Sequence, residues 1–139
     1  MPLIPDSVLK IAPNTNANIS QYFKDTKPQI TTLVKALSEV LKTDAEKIDD
    51  LEVQNDLQTS VAALANVFES LPRVSVPQKY LELHKNLLIT VYSLQKIAEA
   101  MIDSNQDPLK SLLIMNQSDQ AGEFWRDTLL EYEKASKAK

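Results

Sequence analysis

Apolar residues recur along this chain at spacings of three and four over long stretches, separated by short polar or proline-containing segments. That period is the mark of amphipathic helices. The first stretch reads Ile19, Tyr22, Phe23, Ile30, Leu33, Leu37, Val40 and Leu41, behind Thr15 or Asn16. Either of those two can cap free backbone N–H groups. The phase before Pro28 continues after it through Thr26, which predicts one kinked helix to about Lys42. A break at Asp25–Lys27 is the alternative. The second stretch is Ile48, Leu51, Leu57, Val61, Leu64, Val67, Phe68 and Leu71, with Thr43 or Asp44 as its cap. Its stripe is weakest at Gln54–Asn55.

Leu71 to Pro77 forms a connector, in which Ser75 and Gln78 match a capping box and Pro77 suits a first helical turn. The third stretch has the cleanest spacing: Tyr80, Leu81, His84, Leu87, Leu88, Val91, Leu94, Ile97, Ala98 and Met101. Asp107-Pro108 then reads as an N-cap followed by proline at the first helical position. The fourth stretch carries Leu109, Leu112, Leu113, Phe124, Trp125, Leu129 and Tyr132, with a polar middle from Asn116 to Gly122.

Four long helices joined by short loops must run antiparallel to their neighbours. The expected fold is therefore all-α, an antiparallel up-down-up-down four-helix bundle over residues 16–135. Residues 1–15 form an extended N-terminal segment, because Pro2, Pro5 and Pro13 prevent a regular helix. Residues 136–139 form a basic tail that frays. Glycine occurs once in 139 residues, which removes Asn-Gly hairpins and glycine-rich phosphate loops.

Composition narrows the chemistry. The net charge is -4, a poor basis for gripping a phosphate backbone, so no nucleic-acid partner is expected. Cysteine is absent and histidine occurs once, which disfavours thiolate and His-rich metal centres and thiol catalysis. The acidic run from Asp44 to Asp56 lacks the glycine and the alternating oxygen ligands of a calcium loop. It reads as a solvated helix start, where carboxylates meet the helix dipole favourably. No catalytic, cofactor or metal residues are assigned. No apolar run reaches the roughly 18–20 residues of a membrane span, and the first residues lack the features of a signal peptide. Either the protein is cytoplasmic, or a leader or anchor precedes Leu3 in its natural form.

The topology then sorts the aromatic residues. Tyr22, Phe23, Phe68, Tyr80, Phe124, Trp125 and Tyr132 fall at the end that holds both termini, and only Tyr92 of the eight rings falls away from it. The opposite end is aliphatic, with Leu33, Leu37, Val40, Ile48, Leu51, Leu94, Ile97, Met101, Leu109 and Leu112. The rings either fill a wide end of the bundle or form a pocket or partner-binding patch; exposure of Trp125 or Tyr132 favours the patch. His84 lies at the same end, and an antiparallel pairing of helices three and four brings it near Glu123 and Asp127. That is either a satisfied bundle histidine or a pH-responsive contact. Glu82, two residues before His84, has the wrong spacing for a di-iron ligand pair.

The run Val76-Pro77-Gln78-Lys79-Tyr80-Leu81-Glu82-Leu83-His84-Lys85-Asn86-Leu87-Leu88, followed by Asp107-Pro108-Leu109-Lys110-Ser111-Leu112, resembles uncharacterised helical proteins of candidate phyla radiation bacteria (Patescibacteria). Leu9-Lys10-Ile11-Ala12-Pro13-Asn14, leading into a helix with Tyr22, fits the same pattern. Such proteins commonly carry an N-terminal signal or membrane anchor. The resemblance implies an extracytoplasmic, membrane-anchored setting and supplies no catalytic residues. Together these readings point to a non-enzymatic interaction or scaffold domain with a protein partner and scope for a homo-oligomer. The rival is a small-molecule or lipid-binding bundle with a pocket lined by Tyr22, Phe68, Tyr80 and Phe124. An enzyme using His84 with Glu123 or Asp127 is the third reading.

Overall fold

The computed structural model describes residues 5–41, 50–103 and 108–138, with side chains in the last segment described from Ala121 onward. It is an all-α antiparallel bundle of four helices: α1 (Asn16–Leu41), α2 (Leu51–Ser70), α3 (Leu81–Asp103) and α4 (Pro108–Ala138). Each helix packs on its sequence neighbour, α1 on α2, α2 on α3 and α3 on α4. Leu33, Val40, Leu57, Leu64, Leu87, Val91, Leu94 and Met101 form the buried interior, as their 3–4 spacing requires.

α1 is continuous through Pro28. Proline removes one backbone donor, so the carbonyl four residues earlier, on Lys24, loses its helical partner. Both residues lie on the exposed side of the helix, where water replaces the missing bond at little cost. Thr15 caps the helix, its Oγ1 accepting from the Asn18 N–H at 3.1 Å.

The start of α2 departs from expectation. Its cap is Asp50, whose side chain accepts from the Glu52 N–H at 2.8 Å. Thr43 and Asp44, the expected caps, lie outside the described residues, as do Ile48, Leu109 and Leu112. Leu51, expected in the aliphatic core, is 73% exposed because the cap places it on the outer side of the first turn.

The capping box at Ser75 and Gln78 does not form. Ser75–Pro77 is instead a short strand, β2, paired in parallel with β1 (Lys10–Ala12) of the lead-in, with Ile11 opposite Val76. Parallel pairing needs no hairpin, so a glycine-poor chain can make it without a turn signal. Gln78–Tyr80 follows as a 3₁₀ turn, and α3 begins only at Leu81. Asn14 does the work expected of Ser75: its Oδ1 accepts from the Lys79 N–H at 2.9 Å. The lead-in, expected to be extended over residues 1–15, makes a 3₁₀ turn at Asp6–Val8 before β1, its Leu9 is buried, and it is thereby tied to the bundle; residues 1–4 lie outside the described residues. At the other terminus α4 stays helical through Ala138, past the expected fraying point at residue 136. Lys137 holds Glu133 at 2.8 Å one turn earlier and steadies that end.

Candidate functional site

Five of the eight candidate residues meet at the pole that holds β1. Tyr22 packs edge-on against Phe23 (centroids 5.2 Å apart) and His84 (5.6 Å), and stacks on Tyr80 at 5.8 Å. Tyr132 reaches Phe23 from α4 at 5.5 Å. The other three are elsewhere. Phe68, expected among the rings of the pole, pairs instead at 5.9 Å with Tyr92, the ring expected away from them. Phe124 is half-buried on the flank of the core. Trp125 is 0% exposed, and its indole N–H donates to Ser93 Oγ at 3.0 Å.

His84 is the hub of the pole and is also 0% exposed. One ring nitrogen, Nε2, lies 2.9 Å from the Leu71 carbonyl, which can only accept, so Nε2 carries the proton. The other, Nδ1, then accepts from the Tyr22 hydroxyl at 3.0 Å. Burial pushes the imidazole down to about 4, against the Leu71 carbonyl, which pulls it the other way. The ring is neutral at pH 7 with both nitrogens engaged, leaving neither free for a substrate. Burial likewise raises the Tyr22 phenol, with neighbouring Tyr132 and Tyr80 adding to the effect.

A second buried chain continues from the same tyrosine. Thr26 Oγ1 donates to the Tyr22 carbonyl at 2.9 Å and accepts from the Tyr132 hydroxyl at 2.7 Å. His84, Tyr22, Thr26 and Tyr132 thus tie α1 to α3, to the end of α2 and to α4. Every buried side-chain polar atom among the described residues has a partner. This is the pattern of a network that fixes helix register.

The expected contact of His84 with Glu123 and Asp127 does not occur. The Trp125–Ser93 bond sets the α3/α4 register, and His84 lies two and a half turns from Ser93, about 13 Å at 1.5 Å per residue. Both carboxylates are exposed. No cluster of three or more His, Asp or Glu side chains able to hold a metal occurs among the described residues.

Among the described residues, the apolar opening in the surface is the seam between α1 and α4. These helices meet at the pole through Thr26, Phe23 and Tyr132, and below it the seam is a groove. A hollow of about 410 Å³ lies against Phe23, Ile30, Val34 and Tyr132, and one of about 330 Å³ against Leu37, Gly122, Trp125 and Leu129. Glu133 borders both, so the two hollows adjoin along the seam. Phe23 to Leu37 spans about 21 Å at 1.5 Å per residue, and Ser136 back to Gly122 spans the same on α4. Val34 (47% exposed) and Leu130 (45% exposed) stand on the two lips. A Cβ added to Gly122 would meet nothing within 4 Å, so that end of the seam is open space. A separate cleft of about 520 Å³ between α1 and α2 is lined mainly by small and polar residues, among them Thr31, Lys35, Asp56 and Ser60.

The two lip residues lie beside the helical stripes rather than in them, while Ile30, Leu37, Trp125 and Leu129 of the floor belong to the stripes. Val34 follows Leu33, and Leu130 follows Leu129. An apolar residue one step off the stripe, on both the first and last helices, is the signal that could have revealed the seam.

No family model matches the chain, and neither the curated proteins nor the solved structures yield a match to it. Among the described residues no helix is long and apolar enough to cross a membrane.

Proposed function

We propose that this chain is a non-enzymatic interaction domain that receives a helical segment of a partner protein in the groove between α1 and α4. The observation that carries the reading is the half-exposure of Val34 on α1 and Leu130 on α4, each bordering one of the two hollows along this seam. The dimensions suit an amphipathic helix laid in a groove, a recurrent mode of recognition with anchors at i, i+3, i+4 and i+7. Completing the burial of each lip residue contributes about 1 kcal/mol, and the occupant's own anchors add more.

Two considerations favour this reading over a ligand carrier or an enzyme. The aromatic pole is filled by its own rings, Tyr22 against Phe23, Tyr80 and His84, so Tyr22 and His84 serve as core there rather than as pocket walls. His84 has both nitrogens occupied by Leu71 and Tyr22. For its natural setting we take the implication of the resemblance, an extracytoplasmic domain held by an anchor N-terminal to the lead-in, with the β1 pole nearest the membrane. Protease accessibility of the protein in intact cells tests that setting.

The test of the binding reading is selection from an unbiased library of amphipathic helices, with a photo-crosslinking residue at position 34 or 130. Selected helices are expected to crosslink at both lips and to lose binding to the Val34→Asp, Leu130→Asp double variant. Helices that bind the double variant equally well would refute it.

A further inference from the structure

If the α1/α4 groove docks a partner, its charged rim selects which partner. Lys24 and Lys27 border it from α1 and Arg126 from α4. Among the described residues the one carboxylate bordering the same hollows is Glu133, which is engaged by Lys137 at 2.8 Å and held below the usual carboxylate range by it. Lys24, Lys27 and Arg126 take part in no ion pair among the described residues. The exposed carboxylates Glu123, Asp127 and Glu131 of α4 do not border the groove. Although the chain's net charge is -4, the described rim of this trench carries three cations, Lys24, Lys27 and Arg126, against one carboxylate, Glu133.

The two features constrain the occupant together. The floor of Ile30, Leu37, Trp125 and Leu129 demands apolar side chains, which a bare polyanion lacks. The rim demands negative charge beside them, because complementary potentials steer encounter and reject like-charged rivals. We infer that the groove accepts an acidic amphipathic helix of another protein, about 14 residues long, to match the 21 Å run. Its apolar face rests on Ile30, Val34, Leu129 and Leu130, and its flanking Asp and Glu side chains reach Lys24, Lys27 and Arg126. This inference rests on the docking role proposed above.

The test uses the full chain and two labelled synthetic 14-residue helices with the same leucine face. One has glutamates on its flanks and the other lysines. The glutamate helix is expected to bind about tenfold more tightly, with affinity falling as salt rises. The Lys24→Glu, Lys27→Glu double variant, checked for fold by circular dichroism, is expected to reverse the preference. The Val34→Asp, Leu130→Asp variant is expected to lose both peptides. Equal or tighter binding of the lysine helix, still abolished by the lip variant, would overturn the charge inference and leave the groove standing. Failure of both peptides, or binding that survives the lip variant, would overturn both. Binding to phosphatidylglycerol vesicles that the glutamate helix cannot displace would assign the groove to a lipid surface instead. A wild-type dimer dissolved by the lip variant, seen in sedimentation, would assign it to a second copy.

Discussion

Lowering the pH from 7 to 4 forces a proton towards an imidazole that the fold holds neutral. His84 titrates near 6.5 in the unfolded chain and at about 4 in the bundle. Between those values the unfolded state binds the proton and the folded state does not, so stability falls as pH falls. The loss begins below about 6.5 and is complete near 4. Each intervening pH unit costs up to 1.36 kcal/mol, and the window yields about 3 kcal/mol in all. That is a large fraction of the stability of a typical domain, about 5–15 kcal/mol. The structural cause is specific: a charged ring would lose the acceptor role that Nδ1 plays for Tyr22. Urea unfolding followed by Trp125 fluorescence at a series of pH values measures it, since that indole is fully buried. The His84→Gln variant supplies the reference. It should be weaker than wild type at pH 7 and show a shallower pH slope by one proton. Carboxylates such as Glu133, whose depressed titration also favours the fold at higher pH, act in both proteins and cancel in the difference. Identical slopes for the two proteins would refute the reasoning.

Other substitutions probe the remaining contacts. Gly122→Ala should stabilise the protein by about 1 kcal/mol in thermal unfolding, because the site is helical, has no positive φ and has room for a Cβ. Ser93→Ala should cost about 1–3 kcal/mol by leaving the Trp125 indole N–H buried without its acceptor. Asn14→Ala should cost about 1 kcal/mol in urea unfolding and speed amide exchange at Lys79, whose N–H it leaves unpaired.

The interior of α1 and α3 was legible because their stripes are regular and bury the residues the spacing selects, Leu33 and Val40 in one, Leu87 to Met101 in the other. The cap of α2 was harder to read because Thr43, Asp44 and Asp50 are all competent caps within one acidic run, and local chemistry does not rank them. The β1–β2 pair left no mark because a three-residue parallel ladder joins segments 65 positions apart with no turn between them. Helix register was the largest gap. The sequence places His84 near Glu123 and Asp127, whereas its partners are Tyr22 and the Leu71 carbonyl, because the α3/α4 register, marked by the Trp125–Ser93 bond, is not written in either stripe. The same limit hid the seam: Val34 and Leu130 belong to neither stripe, and only the placement of α1 beside α4 brings them to one groove.

Amide chemical-shift mapping of the labelled protein during titration with the glutamate-flanked helix addresses the docking claim most directly. The account predicts the largest changes at residues 30–37 of α1 and 126–133 of α4, with the outer faces of α2 and α3 unmoved. Changes confined to the α2 and α3 faces, or spread evenly over the bundle, would contradict it.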